Sequence, residues 1–211
     1  MKKILLADDH VIIREGLKIM LQRTIPHTVV EEAINGDSAF EKLKKNVYDL
    51  IILDVNMPNT DCFGLVSNIM AIRPDAKILM FSMNAEEMYA KKYLQLGAKG
   101  YVCKDADEDE IVKAVMNVLD NKRYISPALG QVLANEAFGN KSANPFNDLS
   151  HRELELVMHL VKGESASEIS KILNLHPSTI GTYKARIFEK LDCSNIVDLN
   201  TMAKMYNIIP Q

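Results

Sequence analysis

The possible folds of this sequence are limited most by short apolar runs that lead directly into polar or charged residues. Four such runs stand at residues 4–7, 50–53, 78–81 and 101–103, and they are followed by Asp8 with Asp9, by Asp54, by Ser82 and by Lys104, respectively. If the runs are parallel strands of one sheet, their carboxyl ends share an edge, which is where open α/β sheets place ligand sites. We therefore expect three carboxylates, a hydroxyl and an ammonium to meet there.

This group of side chains predicts a cation site with a phosphorylatable aspartate. Two carboxylates about 4 Å apart repel by roughly 4 kcal/mol at an effective dielectric of ~20. A divalent cation relieves that repulsion, and hard oxygen ligands favour Mg²⁺. Asp54 can then act as a nucleophile that forms an acyl phosphate, while Lys104 and Ser82 bind the phosphoryl oxygens. Any one of these residues alone is more simply a helix cap or a strand-end polar group, so the set indicates the site.

The first 120 residues alternate such runs with amphipathic stretches, which predicts five βα units. Strands are expected near 3–7, 28–33, 50–54, 77–82 and 100–103, and helices near 10–24, 36–46, 62–72, 85–97 and 106–120. Four strands are nearly continuous in apolar residues, as parallel strands covered on both faces are. The pattern predicts an α/β, doubly wound, parallel five-stranded sheet of the flavodoxin-like type.

The chain changes class after this region. Residues 121–148 are predicted to be a linker, with a short helix from about Ser126-Pro127 to Phe138 and a flexible stretch at 139–145. From residue 149 on, capping boxes at 150–153 and 165–168 begin two helices, Pro177 begins a third, and a fourth is expected at about 195–206. Residues 149–211 are therefore predicted to form a second, all-α four-helix domain that contains a helix-turn-helix.

Charge and composition limit the function classes. The three cysteines are too far apart for a disulfide framework or a zinc site. No apolar run approaches the roughly 18 residues of a membrane helix, and the run before Asp8 is too short for a signal peptide, so we expect a cytoplasmic protein without membrane partners. Residues 1–120 carry 15 basic and 19 acidic groups, and residues 149–211 carry 7 of each. Any nucleic-acid footprint must therefore be local.

The third helix of the tail has a small, polar face opposite its apolar stripe. Ile180, Ile187 and Leu191 share the stripe at helical spacing. The residues expected to approach base edges or phosphates in a major groove are Ser178, Thr179, Gly181, Thr182, Lys184, Ala185, Arg186 and Lys190. By composition alone this face is equally well a merely solvated one.

Several motifs of the first region stand in a specific order. They are Leu6-Ala7-Asp8-Asp9-His10, Leu53-Asp54-Val55-Asn56-Met57-Pro58, Asp61 with Gly64, Phe81-Ser82, and Gly97-Ala98-Lys99-Gly100-Tyr101-Val102-Cys103-Lys104. With them, residues 1 to about 120 resemble the receiver domain of two-component response regulators. The resemblance implies that Asp54 is the phospho-acceptor. It also implies a Mg²⁺ site made by Asp8, Asp9, Asp54 and the Asn56 carbonyl, and a phosphoryl-binding and switch group made by Ser82, Tyr101 and Lys104.

Two residues depart from that family's usual pattern. Met83 stands where a small residue is usual, which suggests narrower access to Asp54 or a slower reaction. Cys62 replaces a usual glycine, which suggests strain in a turn that favours positive φ. Neither change removes an atom that the predicted reaction uses.

The tail resembles the LuxR-type output domain of the NarL/FixJ family. The resemblance is carried by Leu149-Ser150-His151-Arg152-Glu153, Gly163, Glu168-Ile169, Leu173, Leu175, and Ser178-Thr179-Ile180 through Lys190-Leu191. Gly181 and Ala185 are smaller than the family's usual residues, which implies altered sequence reading. His176 occupies the N-cap place, where Ser or Thr is commoner. With no net charge, one copy should bind DNA weakly, so we expect a homodimer on paired half-sites.

Together these features predict a transcription regulator that a sensor histidine kinase phosphorylates on Asp54. Phosphorylation would draw Ser82 inward, bury Tyr101, and control dimerisation and promoter binding, with RNA polymerase as a further partner. The alternative is a phosphorylation-independent regulator that uses the receiver as a dimerisation platform, as Met83 suggests. A phosphatase would need a second carboxylate at the position of Asn56, so we expect no enzyme beyond the acceptance and hydrolysis of the protein's own phosphoryl group.

Overall fold

The computed structural model describes residues 1–84, 86–138, 144–206 and 208–209. The chain forms two compact units, Met1–Gly130 and Gln131–Gln211. The first contains a five-stranded parallel sheet with helices, and the second is helical. This architecture confirms the predicted fold class.

Strands and helices alternate from the first strand to the fifth helix. The strands are β1 (Lys2–Ala7), β2 (Thr28–Ala33), β3 (Leu50–Asp54), β4 (Ile78–Ser82) and β5 (Gly100–Cys103). The helices that alternate with them are α1 (Val11–Thr24), α2 (Gly36–Lys45), α3 (Cys62–Ile72), α4 (Glu86–Gln95) and α5 (Glu108–Leu119). The helices that follow are α6 (Pro127–Ala137), which spans the boundary of the units, and α7 (His151–Val161), α8 (Ala166–Leu173), α9 (Pro177–Leu191) and α10 (Ile196–Met205) of the second unit. A 3₁₀ turn, Pro145–Asp148, precedes α7.

The strand order β2-β1-β3-β4-β5 brings the predicted site residues to one edge. All pairings are parallel, with Ala7 opposite Leu53 and Ser82 opposite Cys103 at the carboxyl ends. Every residue of β3 and β4 is buried. The residues that end β3 and β4 and those that follow β1 and β5 therefore lie side by side at one edge of the sheet, as the apolar runs predicted.

Both faces of the sheet are covered by apolar helix surfaces. On one face, Leu17 and Leu21 of α1 and Val115 and Val118 of α5 belong to a single buried cluster with the strands. Burial of a side chain of this size stabilises a fold by about 1.5–3 kcal/mol. The cluster makes a rigid platform for the carboxyl edge.

In the second unit, side-chain caps set the starts of the helices. Ser150 and Glu153 form a reciprocal capping box at α7, and Ser165 and Glu168 form another at α8. Gly163 ends the first of these helical segments with φ +78°, a conformation that favours glycine. Both predicted capping boxes are therefore present.

The segment predicted as a linker is partly ordered on the first unit. Tyr124 pairs with β5 through its backbone, and Tyr124, Ser126 and Leu129 are buried. The predicted short helix corresponds to α6, whereas the flexible stretch at 139–145 lies largely outside the described residues, which resume at Asn144. The boundary between the two units falls after Gly130, and the assignment of functional domains to 1–120 and 149–211 stays a prediction.

Within the described part of the chain, no helix is both long and apolar enough to cross a membrane.

Candidate functional site

A buried ammonium lies between two buried carboxylates at the carboxyl edge of the sheet. Lys104 Nζ is 2.6 Å from Asp8 Oδ2 and 2.8 Å from Asp54 Oδ2. The three side chains are at most 3% exposed. The backbone N–H of Lys104 donates to the Ser82 carbonyl, which extends the pairing of β4 with β5. The fold thus brings together four of the predicted site residues.

Asp9 and His10 complete the acidic cluster. One potential ligand atom each from Asp8, Asp9, His10 and Asp54 lie within 4.8 Å of one another. His10 Nδ1 is 3.2 Å from Asp8 Oδ1 and 3.0 Å from Asp9 Oδ1. The sequence had not indicated His10 as part of a cation site.

The oxygens of this cluster fit a divalent cation. Asp8 Oδ2, Asp9 Oδ1 and Asp54 Oδ2 are buried, and none accepts a directed hydrogen bond from a described residue, although Lys104 and His10 lie at ion-pair distance. Three carboxylates outnumber the single ammonium, so negative charge remains uncompensated. Hard oxygen donors of this kind suit Mg²⁺.

The environment of Asp54 disfavours its ionised form. Burial raises the pKa of the Asp54 carboxyl. The Lys104 ammonium and the backbone N–H of Asn56, 3.1 Å from Asp54 Oδ1, offset part of that rise, whereas Asp8 adds to it. The carboxylate is therefore held at an energetic cost that positive charge in the pocket relieves.

Hydrogen bonds of Asn84 connect the residues of the pocket to Tyr101. The Asn84 side chain exchanges two hydrogen bonds with that of Asn56, at 3.1 and 3.2 Å. Its backbone N–H donates to Ser82 Oγ, and its carbonyl accepts from the Tyr101 hydroxyl at 2.9 Å. Ser82 and Tyr101 are both fully buried, which is the inward arrangement that the sequence associated with phosphorylation.

Sequence reasoning missed Asn84 and Arg14. Arg14 is buried, donates to the Asp8 carbonyl at 2.7 Å, and bonds to Glu32 through Nε at 3.2 Å. A lone arginine in the apolar stripe of α1 was a usable signal for a buried polar contact. Nothing in the local sequence marks Asn84, because Asn56 and Tyr101, which bond to its side chain and its carbonyl, lie 28 and 17 residues away.

The expected consequence of Cys62 needs correction, whereas the expected effect of Met83 on access and rate stays a prediction. Cys62 begins α3 and is absent from the described residues with positive φ, whereas Asn59 has φ 53°. The left-handed residue of this loop is thus an asparagine, so the predicted strain at Cys62 is wrong. The Met83 side chain is 66% exposed, so most of it lies in solvent.

The predicted face of α9 is open to solvent. Its exposed members are Ser178, Gly181, Thr182, Ala185, Arg186 and Lys190, and its half-buried members are Thr179 and Lys184. A shallow depression of about 230 Å³ is lined by Ser178, Thr179, Thr182, Tyr183 and Arg186. A helix with short side chains on its exposed face can approach base edges closely.

The three cations of α9 have different environments. Lys190 Nζ lies 2.7 Å from Glu153 Oε2, the carboxylate of the α7 capping box. Lys184 Nζ lies 5.4 Å from the centre of the Phe188 ring. Arg186 lines the depression. Lys190 therefore also holds α9 against α7, a structural contact that the sequence did not reveal.

His176 replaces the usual hydroxyl cap of α9 in an unanticipated way. Its Nδ1 accepts the backbone N–H of Ser178 at 3.3 Å and lies 2.8 Å from Ser178 Oγ. An imidazole thus caps the helix.

Comparison with known proteins finds two family models and full-length relatives. Residues 4–116 match the response regulator receiver domain, and residues 147–203 match the luxR family of bacterial regulatory proteins. The chain is 34% identical to the response regulator UvrY of Escherichia coli strain K12 over 204 residues, 96% of this chain and 94% of that protein. It is also 34% identical to the response regulator GacA of Pseudomonas syringae pv. syringae strain B728a over 210 residues, 99% of this chain and 98% of that protein.

Among solved structures, the chain is similar to RcsB from Salmonella enterica serovar Typhimurium bound to promoter rprA in the presence of phosphomimetic BeF3⁻. The TM-score is 0.78 at 25% identity, over 95% of this chain and 97% of that one.

Proposed function

The chain belongs to the two-component response regulators of the NarL/FixJ type, with a receiver domain and a LuxR-type helix-turn-helix, and we propose that phosphorylation of Asp54 controls its binding to promoter DNA. It is a DNA-binding transcription regulator of a two-component system, not a classic enzyme. The observation that carries the proposal is the pairing of the Lys104 ammonium with both Asp54 and Asp8 in a buried acidic pocket.

Asp54 is the proposed acceptor because its carboxylate is pre-positioned as a nucleophile. An Oδ atom attacks the phosphorus of a phosphohistidine on a sensor kinase, and the P–O bond to Asp54 forms as the P–N bond breaks. Lys104 then pairs with a phosphoryl oxygen. The Ser82 hydroxyl accepts from Asn84 N–H, and its own O–H would donate to another phosphoryl oxygen.

Asp8, Asp9 and Asp54, with the Asn56 carbonyl, are the proposed holders of Mg²⁺. Bound there, the cation would supply positive charge to the phosphoryl oxygens. The proposal includes hydrolysis of the protein's own acyl phosphate as the return step.

The proposed DNA contacts are eight residues of α9, namely Ser178, Thr179, Gly181, Thr182, Lys184, Ala185, Arg186 and Lys190. The proposed assembly is a homodimer in the cytoplasm, with RNA polymerase as a further partner. RcsB, a relative of the same fold, is bound to promoter DNA in its structure. Ser178 and Thr179 lie at the positive end of α9, where phosphates bind favourably. Lys184 and Arg186 supply positive charge along its length.

Phosphorylation is tested by intact-mass measurement after incubation with acetyl phosphate and Mg²⁺. We expect one added phosphoryl group on the wild type and none on Asp54→Asn. A wild type that gains no phosphoryl group from acetyl phosphate or a kinase would refute the acceptor role.

DNA binding is tested by gel shift on a duplex that the wild type selects from a random-sequence pool. Lys184→Ala and Arg186→Ala should each weaken binding, and the affinity should fall steeply with salt. Lys204→Ala, which removes an exposed charge from α10, is the matched control. Unchanged affinity in both α9 variants would contradict the assignment.

A further inference from the structure

The segment after α5 is anchored on the first unit rather than free. Tyr124 N–H donates to the Lys99 carbonyl at 2.8 Å, and the Tyr124 hydroxyl donates to Glu110 Oε1 at 2.6 Å. Leu129, in the first turn of α6, is 1% exposed. The start of α6 therefore has a fixed position in this unit.

One serine holds that position through two hydrogen bonds. Ser126 Oγ accepts the backbone N–H of Leu129 at 3.1 Å and so caps α6. The same hydroxyl donates to Glu86 Oε2 at 2.5 Å, which ties the cap to the first residue of α4. A cap hydroxyl that is itself held by a carboxylate has a single orientation, so α4 sets where α6 begins.

Glu86 is an unexpected residue for a purely structural contact. Its Oε1 is buried and accepts no hydrogen bond from a described residue. Burial raises the pKa of Glu86, and the neighbouring carboxylates Glu110 and Glu87 raise it further, against the Ser126 contacts. Because burial of this carboxylate costs energy, its hydrogen bond to Ser126 is a contact that a small rearrangement can break.

The other end of this connection lies in the phosphoryl pocket. Asn84 precedes Glu86 by two residues and holds Ser82 Oγ, the Asn56 amide and the Tyr101 hydroxyl. A phosphoryl group that takes the Ser82 hydroxyl as donor would turn that hydroxyl. Because its oxygen accepts the Asn84 N–H, the bonds at Asn84 would shift with it. Glu86 follows Asn84 by only two residues, so a shift of Asn84 would also shift Glu86.

We propose that Glu86 and Ser126 are positioning residues that couple the phosphoryl pocket to the first turn of α6. The bond between them transmits the rearrangement at Ser82 and Asn84 to the cap of α6, a helix within which the boundary between the two units falls. This coupling rests on the proposed phosphorylation of Asp54. The first turn of α6 is then the first part of the chain beyond the receiver whose structure changes on phosphorylation.

The test is hydrogen–deuterium exchange of the full-length protein, with and without beryllofluoride and Mg²⁺. Peptides that cover residues 78–84 report on the pocket, and peptides that cover 126–131 report on the first turn of α6. The variants are Glu86→Ala, which removes the acceptor, and Glu86→Gln, whose amide oxygen still accepts from Ser126. Glu87→Ala removes an exposed carboxylate one residue away and is the matched control. Ser126→Ala breaks the same bond from the other side.

In the wild type, Glu87→Ala and Glu86→Gln, beryllofluoride should change exchange in both segments. In Glu86→Ala and Ser126→Ala the change should persist at 78–84 and disappear at 126–131. Ser126→Ala should also exchange about fivefold faster at Leu129 because the cap is lost. Rescue by glutamine and the dependence on beryllofluoride are readouts that a merely structural role would not give.

Three results would overturn the coupling. If beryllofluoride alters 126–131 equally in Glu86→Ala and the wild type, or alters only 78–84 in the wild type, the coupling is wrong and the role of Asp54 survives. If the wild type responds in neither segment, the proposed phosphorylation control fails together with it.

Discussion

Lys104 sets the electrostatic balance of the pocket by itself. Its ammonium is the one cation that the described structure places between Asp8 and Asp54. Carboxylate atoms within 4.8 Å of each other repel by about 3 kcal/mol at an effective dielectric of ~20. Without a divalent cation, compensation of the carboxylate charge in the pocket therefore depends on this lysine.

Lys104→Met should lower the free energy of unfolding by about 3–5 kcal/mol in the presence of EDTA, because it leaves two buried carboxylates unpaired. Mg²⁺ should then stabilise the variant more than the wild type, since the ion takes over part of the compensation. Urea unfolding with and without Mg²⁺ measures both effects. Lys122→Met, at a largely exposed lysine, is the control and should behave as the wild type. Equal Mg²⁺ stabilisation of Lys104→Met and wild type would contradict this account.

Glu86 predicts a specific pH dependence. Because burial raises its pKa, the folded protein binds this proton more tightly than the unfolded chain does. The contribution of Glu86 to stability is therefore complete below its ordinary pKa and is lost as the pH rises through the raised value. Glu86→Gln, which mimics the protonated acid, should gain stability relative to wild type as the pH rises above the ordinary glutamate pKa of about 4.3.

Urea unfolding of wild type and Glu86→Gln across this pH range measures the difference directly. Glu110 and Glu87, the other carboxylates that raise this pKa, remain in both proteins, so their own titration largely cancels. A stability difference that stays constant or shrinks as the pH rises would refute the role of burial.

Substitution of two glycines in the second unit tests the effect of backbone conformation on stability without a change in packing. A Cβ at Gly163 or at Gly181 would meet nothing within 4 Å. Gly181 lies inside α9, whereas Gly163 has φ +78°. The two sites therefore differ in backbone conformation and not in available space.

Gly181→Ala should stabilise the second unit by up to about 1 kcal/mol, since alanine is the better helix former. Gly163→Ala should destabilise it by about 1–2 kcal/mol, since a side chain is strained at positive φ. Thermal unfolding of the two variants checks the opposite signs. A shift of the same sign in both would show that conformation does not decide the outcome.

The elements themselves could be predicted because their signals are local. Apolar runs located four of the five strands to within a residue or two, and the capping boxes at Ser150 and Ser165 located the starts of α7 and α8. The contacts that join elements could not. Glu86 with Ser126 and Lys190 with Glu153 are 40 and 37 residues apart and leave no periodic pattern.

In the candidate site, too, the residues at strand ends could be predicted from the sequence, whereas the contacts between loops could not. Asp8, Asp54 and Lys104 could be placed together because each directly follows or ends a strand of one parallel sheet. The amide pair of Asn56 and Asn84 depends on the paths of two loops, and loop paths follow from side-chain packing rather than from a sequence period.

For the whole molecule, the proposed control by phosphorylation acts through assembly. Residues 149–211 carry equal numbers of acidic and basic groups, so a single copy has little general attraction to DNA. Two copies on paired half-sites would combine their local contacts from α9. Control of dimerisation is then an effective way to control promoter occupancy.

We propose that Asp54 phosphorylation changes oligomeric state and DNA affinity together. Sedimentation and operator titration of the same samples, with and without beryllofluoride, measure both. We predict that the wild type shifts toward the dimer and binds its operator about 5–150-fold more tightly, the range typical of coupled sites, while Asp54→Asn does neither. Wild-type affinity and oligomeric state that are the same with and without beryllofluoride would contradict the account and favour a phosphorylation-independent regulator.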